Sequence, residues 1–417
     1  MIYGCIGEKL SHSFSKEIHT ELFSYEYELC EVERENLESF MLKKDFKAIN
    51  VTIPYKSDVI PYLSEISDTA KAIGAVNTIV NDNGTLKGYN TDFYGMKSLI
   101  ERNEICLEGK KTLILGSGGT SKTAFAVAKS LKAKEIYVVS RKSGNGCVSY
   151  QEAKEKHSDA EVIINTTPCG MYPNIAVSAV EVEDFPKLYA VVDAVYNPLR
   201  SKIVCDARKK GVKAVGGLYM LVAQATFAAE KFIGEKLNIS EIERVYRNLV
   251  CQKQNIVLVG MPSSGKTTVG KLISEKLNMQ FVDTDDLIVK KEGTPIPKIF
   301  EKHGEDYFRK IESEIIFEVS KRQNCVIATG GGAVLNSLNP YHLIENGRIY
   351  FLDRPLSSLL PTEDRPLSSD FEALKKIYTE RYDIYLSCAD CHIKDMGSAE
   401  KNAEKIIEDF KNENTCD

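Results

Sequence analysis

Ile256-Val257-Leu258-Val259-Gly260-Met261-Pro262-Ser263-Ser264-Gly265-Lys266-Thr267 is a short apolar run that breaks into the spacing G-x-x-x-x-G-K-T. An unbroken apolar run with no polar alternation reads as a strand buried on both faces, which is the strand of a parallel sheet. The glycines that follow let backbone N–H groups wrap a phosphate chain, with a lysine reaching the terminal phosphates and a hydroxyl reaching Mg²⁺. With a strand before it and a helix after it, the stretch calls for an α/β fold around an ATP site. Gly260, Ser263, Ser264, Gly265, Lys266, Thr267 and Thr268 are the expected nucleotide contacts, and Thr267 is also an expected metal ligand.

A second loop of the same general kind lies upstream, where Thr112-Leu113-Ile114-Leu115 runs into Gly116-Ser117-Gly118-Gly119. This is the looser dinucleotide pattern, in which glycines allow a tight turn and the pyrophosphate sits on a helix N-terminus. Ser121 stands at the third glycine position. The next strand ends Val138-Val139-Ser140-Arg141-Lys142. An acidic residue there would bind a ribose 2′-hydroxyl, whereas an arginine suits a 2′-phosphate, so Arg141 favours NADP(H) over NAD.

The 417 residues leave room for two or three domains at roughly 150 residues each. The net charge of −5 gives no basic surface for nucleic acid. No apolar run approaches the roughly 20 residues of a membrane span, and no signal peptide is visible. Eleven scattered cysteines without a framework spacing fit reduced thiols in the cytoplasm. Strands are expected at 1–7, 48–53 and 76–80, the last followed by an Asn83-Gly84 turn. From 110 onward a β-α-β pattern is expected, with strands at 112–115, 135–140, 162–165 and 190–193 and helices over 119–132, 218–233 and 240–249. The junction from Val250 to Asn255 lacks Gly, Pro and Ser, so two abutting domains are expected rather than modules on a tether.

Six blocks of the first half stand in one order. They are Ser11-His12-Ser13-Phe14-Ser15, Asn50-Val51-Thr52-Ile53-Pro54-Tyr55-Lys56, Gly74-Ala75-Val76-Asn77-Thr78, Asn90-Thr91-Asp92, Asn165-Thr166-Thr167-Pro168-Cys169-Gly170-Met171 and Gly217-Leu218-Tyr219-Met220-Leu221-Val222-Ala223-Gln224-Ala225. In this register residues 1–250 resemble the shikimate dehydrogenase family. The resemblance implies a two-lobed dehydrogenase: residues 1–95 form an α/β substrate-binding lobe, completed by about 218–250, and 96–217 form a Rossmann NADP-binding lobe. It makes Lys56 the general acid/base and Asp92 its orienting partner, since a carbonyl reduced by hydride also needs a proton at oxygen. Ser13 and Ser15 match the ligands of the substrate carboxylate, and Thr52, Asn77, Asp92 and Gln224 those of the ring hydroxyls, with Tyr196 assisting. Gly116, Ser117, Gly118, Gly119, Thr120, Arg141, Thr166, Gly217 and Met220 fall on the cofactor side. Glu8, Lys9 and Lys16 replace the prolines that usually flank the His-Ser-x-Ser segment.

The second half adds Phe281-Val282-Asp283-Thr284-Asp285, Phe308-Arg309-Lys310-Ile311-Glu312, Thr329-Gly330-Gly331-Gly332-Ala333-Val334, Asp364-Arg365-Pro366-Leu367 and Glu380-Arg381-Tyr382 through Tyr385. With the phosphate loop, these resemble the shikimate kinase family, a P-loop domain with a parallel sheet flanked by helices, placed here over 254–417. By that resemblance Asp285 binds the acceptor hydroxyls and accepts the proton of the attacking one, and Asp283 sits in the Mg²⁺ shell. Arg309 and Arg381 clamp the substrate carboxylate, Gly331 and Gly332 present backbone N–H groups to it, and Arg365 closes a lid over the phosphates. The guanidinium fork suits both anions. The family's second lid arginine, upstream of Arg-Pro-Leu, is missing between Arg354 and Arg365, which predicts a weakened kinase.

Together the two resemblances imply a bifunctional enzyme that reduces 3-dehydroshikimate with NADPH and phosphorylates shikimate from Mg·ATP. Its partners would be small molecules, with no nucleic acid, no membrane and a homodimer as the candidate assembly. Preference for quinate stays open. A non-catalytic sensor would be expected to have lost Lys56, Asp92, Lys266 or Asp285, and all four are present. Cys388-Ala389-Asp390-Cys391-His392 fits the c-type haem pattern, but that attachment needs export and zinc would need more ligands, so no role is expected there.

Overall fold

The computed structural model describes residues 2–10, 14–142, 144, 146–359 and 371–412. They fall into two compact units divided between Leu249 and Val250, within the helix Ile239–Lys253.

The first unit holds two sheets. Strands β1 (Tyr3–Gly7), β2 (Tyr27–Glu31), β3 (Ala48–Val51), β4 (Glu65–Ile66), β5 (Thr78–Asp82) and β6 (Thr85–Tyr89) form a mixed sheet in the order β2-β1-β3-β5-β6-β4. The expected Asn83-Gly84 turn joins β5 to β6, with both residues at positive φ, 49° and 91°, as a two-residue hairpin loop requires. Three strands of this sheet differ from expectation, the first being β1, which begins at Tyr3. β3 stops at Val51, because Pro54 has no N–H to continue a ladder and Tyr55 N–H turns back to Thr52 O (3.0 Å). The strand expected at 76–80 begins two residues later, at Thr78. One face of this sheet is covered by the helix Leu218–Ile233, whose Ala228 and Phe232 join Cys5, Leu10, Tyr27 and Ala48 in one core.

Strands β7 (Lys111–Leu115), β8 (Glu135–Ser140), β9 (Cys147–Ser149), β10 (Val162–Asn165), β11 (Ala190–Asp193) and β12 (Lys213–Val215) form the second sheet, all parallel. Their spatial order β12-β11-β10-β7-β8-β9 is the doubly wound order that places a crevice where β7 and β10 diverge. β10 and β11 are buried throughout, the mark of strands covered on both faces.

The second unit is one parallel sheet of β13 (Asn255–Val259), β14 (Gln280–Asp283), β15 (Cys325–Ala328), β16 (Gly347–Asp353) and β17 (Cys391–Lys394), ordered β14-β15-β13-β16-β17. The apolar run that opened the reading is its central strand. Successive side chains of a strand point to opposite faces, and here they feed two cores. Val257 and Val259 pack with Ile316, Val319 and Leu374. Ile256 and Leu258 pack with Val269, Ile273, Ala403 and Ile406. Among the described residues no helix is long and apolar enough to cross a membrane.

Candidate active sites

In the first unit the pair Lys56–Asp92, 36 residues apart in sequence, closes to 2.6 Å between Nζ and Oδ2. Both side chains are largely buried, which strengthens their attraction relative to a surface pair. Asp92 is the first residue of the helix Asp92–Arg102, and its other oxygen, Oδ1, accepts from Asn77 Nδ2 (2.9 Å). The orientation of that amide is set by the backbone: Thr91 N–H donates to Asn77 Oδ1 (2.7 Å), so the NH₂ group must face Asp92. Gln224 Oε1 accepts from the same NH₂ at 3.3 Å. Gln224 reaches the site because its helix lies directly on Asp92–Arg102 at Gly95, where a methyl would stand 2.7 Å from Met220 O and 2.8 Å from Gln224 Cβ.

Behind Asn77 runs a buried polar chain. Tyr27 donates its hydroxyl to Asn50 Oδ1 (2.7 Å), and Asn50 Nδ2 donates to Asn77 O (3.3 Å) and Thr78 Oγ1 (3.2 Å). Thr52 is half-buried just past β3, and Ser15 is the first residue of the helix Ser15–Leu22. Tyr196 packs its ring on Phe14 with centroids 5.3 Å apart, and burial raises its phenol. Ser13 lies outside the described residues.

The glycine loop approaches this pair. A methyl built on Gly119 would lie 3.7 Å from Lys56 Cδ, so the lysine stands against the first turn of the helix Gly119–Ser130. Gly116 is held against Thr166, whose Oγ1 donates to Leu115 O (2.6 Å), and space over Gly118 is open to 4 Å. Ser117 Oγ lies 3.4 Å from Ser140 Oγ, Thr120 follows in the helix, and Arg141 is exposed just past β8. Gly217 and Met220 are buried at the start of the helix Leu218–Ile233. An open glycine turn at a helix N-terminus, flanked by an exposed arginine, fits a phosphorylated dinucleotide.

Asp193, which the sequence did not single out, braces the end of β11 before Tyr196. It is fully buried and accepts from Asn165 Nδ2 (2.8 Å), Val195 N–H (3.0 Å) and the Ser201 hydroxyl. Burial pushes its carboxyl up to about 7, against the pull of these donors. An unfolded aspartate titrates near 3.9, so between about pH 4 and 7 the folded chain binds a proton that the unfolded chain has lost. Stability from this group is therefore present at low pH and is lost as pH rises through 7. Against an Asp193→Asn variant of the same shape, the protein should lose about 1.4 kcal/mol per pH unit inside that window. Thermal or urea unfolding of both proteins from pH 4 to 8 reads this difference, and a flat difference would contradict the raised carboxyl.

In the second unit the loop after β13 folds over its own lysine. Gly260 and Gly265 take positive φ, and Lys266 Nζ donates to Gly260 O (2.9 Å) and Met261 O (2.8 Å). Ser263 also has positive φ, and the buried hydroxyl of Ser264 has no partner among the described residues. Thr267 and Thr268 are exposed. Thr267 Oγ1 donates to Asp283 Oδ2 (2.9 Å), and Asp283 Oδ1 caps the helix Thr284–Glu292 by accepting from Asp285 N–H (3.0 Å). An unpaired buried hydroxyl, a curled lysine and a hydroxyl–carboxylate pair form a donor set that fits a triphosphate with a hard cation.

The residues expected to hold the acceptor gather around the three-glycine turn. A methyl on Gly330 would stand 2.8 Å from Asp285 Oδ1 and 2.7 Å from Glu312 Oε1, and one on Gly331 would stand 2.8 Å from Pro262 Cδ of the phosphate loop. Gly332 lies against the guanidinium of Arg309. Arg309 is held by Glu312 Oε2 (2.8 Å) and Glu305 Oε1 (3.0 Å), while Arg381 is buried and donates through Nη1 to Gly331 O (3.1 Å). Glu312 closes the Phe308–Glu312 motif, and the resemblance assigns it no role. Burial raises its carboxyl, Arg309 offsets this, and nearby Asp285 pushes it further up. Its position three residues after Arg309 on one helix was the available signal. Arg365 lies outside the described residues.

The comparisons with known proteins agree in both units. A family model described as shikimate dehydrogenase substrate binding domain matches residues 5–79, and one described as shikimate kinase matches residues 262–411. The chain is 41% identical over 269 residues to the shikimate dehydrogenase (NADP(+)) of Clostridium perfringens, covering 60% of this chain and 99% of that one. Among solved structures it resembles a chorismate mutase/shikimate 5-dehydrogenase fusion protein from Clostridium acetobutylicum, at 38% identity and a TM-score of 0.56, covering 60% of this chain and 96% of that one. It also resembles the shikimate 5-dehydrogenase of Thermus thermophilus in complex with NADP(H) and shikimate, at 27% identity and a TM-score of 0.54, covering 60% of this chain and 99% of that one. The chain therefore belongs to the shikimate dehydrogenase family, with a shikimate kinase domain joined to it.

Proposed function

We propose that the chain carries out two consecutive reactions on one carbon skeleton, the reduction of 3-dehydroshikimate to shikimate and the phosphorylation of shikimate to shikimate 3-phosphate. The observation that carries this is shared by both units: a glycine loop packs directly on a carboxylate-lined polar pocket, through Gly119 and Lys56 in one and through Pro262 and Gly331 in the other.

NADPH supplies the hydride in the first reaction and Mg·ATP the phosphoryl group in the second. Lys56 delivers a proton to the substrate oxygen, and Asp92 keeps the ammonium aimed. Asn77 holds the second oxygen of Asp92, so both partners of the pair stay in one geometry. Thr52, Asn77, Asp92 and Gln224 would bind the ring hydroxyls and Ser15 the carboxylate, with Tyr196 on that side; Ser13, expected beside Ser15, lies outside the described residues. Arg141 pairs with the 2′-phosphate. In the kinase domain Thr267 and Asp283 would hold Mg²⁺, and Lys266 would supply its charge to the phosphates. Asp285 takes the proton of the attacking hydroxyl, and Arg309 and Arg381 hold the carboxylate. Residues 1–95 with 218–250 form the substrate lobe, 96–217 the NADP lobe and 254–417 the kinase domain. The ten described cysteines are all free, which suits a reducing cytoplasm. The one protein partner proposed is a second copy of the chain.

Purified protein given 3-dehydroshikimate, NADPH and Mg·ATP should oxidise NADPH and release ADP, with shikimate 3-phosphate as the end product by mass spectrometry. Binding of shikimate without either turnover would reverse the reading in favour of a sensor.

A further inference from the structure

Tyr385 lies one helical turn after Arg381 on the helix Phe371–Cys388 and is completely buried. Its ring stacks on Phe351, with centroids 5.1 Å apart and planes inclined at 18°, inside the core that also holds Val257 and Val259. The phenol oxygen is the only polar atom of this side chain, and it donates to Gly331 O. Burial raises the phenol, so it stays protonated and remains a donor. The same carbonyl accepts from Arg381 Nη1 (3.1 Å). One peptide oxygen thus receives two buried donors from one helix, where a single donor would satisfy it.

The consequence follows from the planarity of the peptide. Gly331 C=O and Gly332 N–H belong to one rigid unit and point in opposite directions. Pinning the carbonyl toward Tyr385 and Arg381 therefore aims the Gly332 N–H away from them, and that N–H has no partner among the described residues. Glycine at these positions has no side chain to hold the plane, and an unpinned glycine peptide samples more backbone conformations than any other.

We propose that Tyr385 is a positioning residue of the kinase site, which through the Gly331 carbonyl fixes the Gly332 N–H as a donor to the carboxylate of the acceptor. This rests on the reading above that the acceptor is a small carboxylic acid held near Arg309 and Arg381. Tyr385 touches neither substrate and acts on recognition of one of them.

The test is Tyr385→Phe in the full chain, which removes the hydroxyl and keeps the stacked ring. The KM for shikimate should rise about tenfold, the scale of one hydrogen bond's net worth, while the KM for ATP stays at its wild-type value. With the uncharged carboxamide of shikimate as acceptor, the variant and the wild type should differ by less than twofold. An unchanged KM for shikimate overturns the proposal. Equal rises in the KM for shikimate and for ATP, or an equal loss with the carboxamide, also overturn it, since they mark a structural role. If the wild-type chain phosphorylates no shikimate at all, the functional reading itself fails, which is a separate result from a silent variant of an active enzyme.

Discussion

Lys56→Ala is expected to lower the dehydrogenase kcat by about 10³-fold, within the range for loss of a positioned proton donor. The ammonium stands 2.6 Å from Asp92 and against the nucleotide loop, so no other described cation shares its place in the pair. Removing it leaves Asp92 without its partner and leaves the developing alkoxide without a proton. The KM for 3-dehydroshikimate should move much less than kcat, because Asn77 and Gln224, proposed as ligands of the ring hydroxyls, remain bonded to each other. Stopped-flow oxidation of NADPH measures this, and a kcat within tenfold of wild type would assign the proton to another group. Formation of shikimate 3-phosphate from added shikimate should continue at the wild-type rate.

Lys266→Ala should produce the converse, a loss of about 10²–10³-fold in kinase kcat, comparable to the loss of one preorganised charge-stabilising donor. Lys266 is buried within its loop and spends its donors on Gly260 O and Met261 O. On the proposed reading it exchanges those carbonyls for phosphate oxygens, so the charge is held in place before the nucleotide arrives. Alanine removes both the charge and the tie that closes the loop, and the KM for ATP should rise as well. Phosphoryl transfer asks for positioning and charge neutralisation more than covalent help, which is why one cation matters so much. A coupled ADP assay reads the effect, with reduction of 3-dehydroshikimate in the same preparation as control. Loss of both activities in either variant would contradict independent sites.

The fold was legible where local pattern and burial coincide. β10 and β11 fall where their apolar runs put them, because each is buried along its whole length, and β8 and the helix Leu218–Ile233 also keep their expected bounds. β2 was not visible: only Tyr27 of its five residues is buried, so the strand carries no alternation to find. β4 and β9, at two and three residues, are shorter than any period that a sequence can display. The sites were legible unevenly. The phosphate loop declares itself within eight residues, whereas Lys56 and Asp92 acquire meaning only from the resemblance, since nothing local links residues so far apart. Glu312 and Tyr385 stood in plain view three and four positions after Arg309 and Arg381. What gives them importance is burial, and burial is set by β15, β16 and the glycine turn, which no helical spacing encodes. Ser13 and Arg365, both expected in the sites, lie outside the described residues.

The three-glycine turn also bears on how the kinase domain can evolve. At Gly330, Gly331 and Gly332 the place of a side chain is already taken, by Asp285 and Glu312, by Pro262, and by Arg309 respectively. Adding even one carbon at Gly331 collides with the ring and backbone nitrogen of Pro262, which have nowhere to swing, so this part of the turn offers mutation no gradual path. A change of acceptor is therefore expected to begin at the side chains around that glycine rather than at the glycine itself.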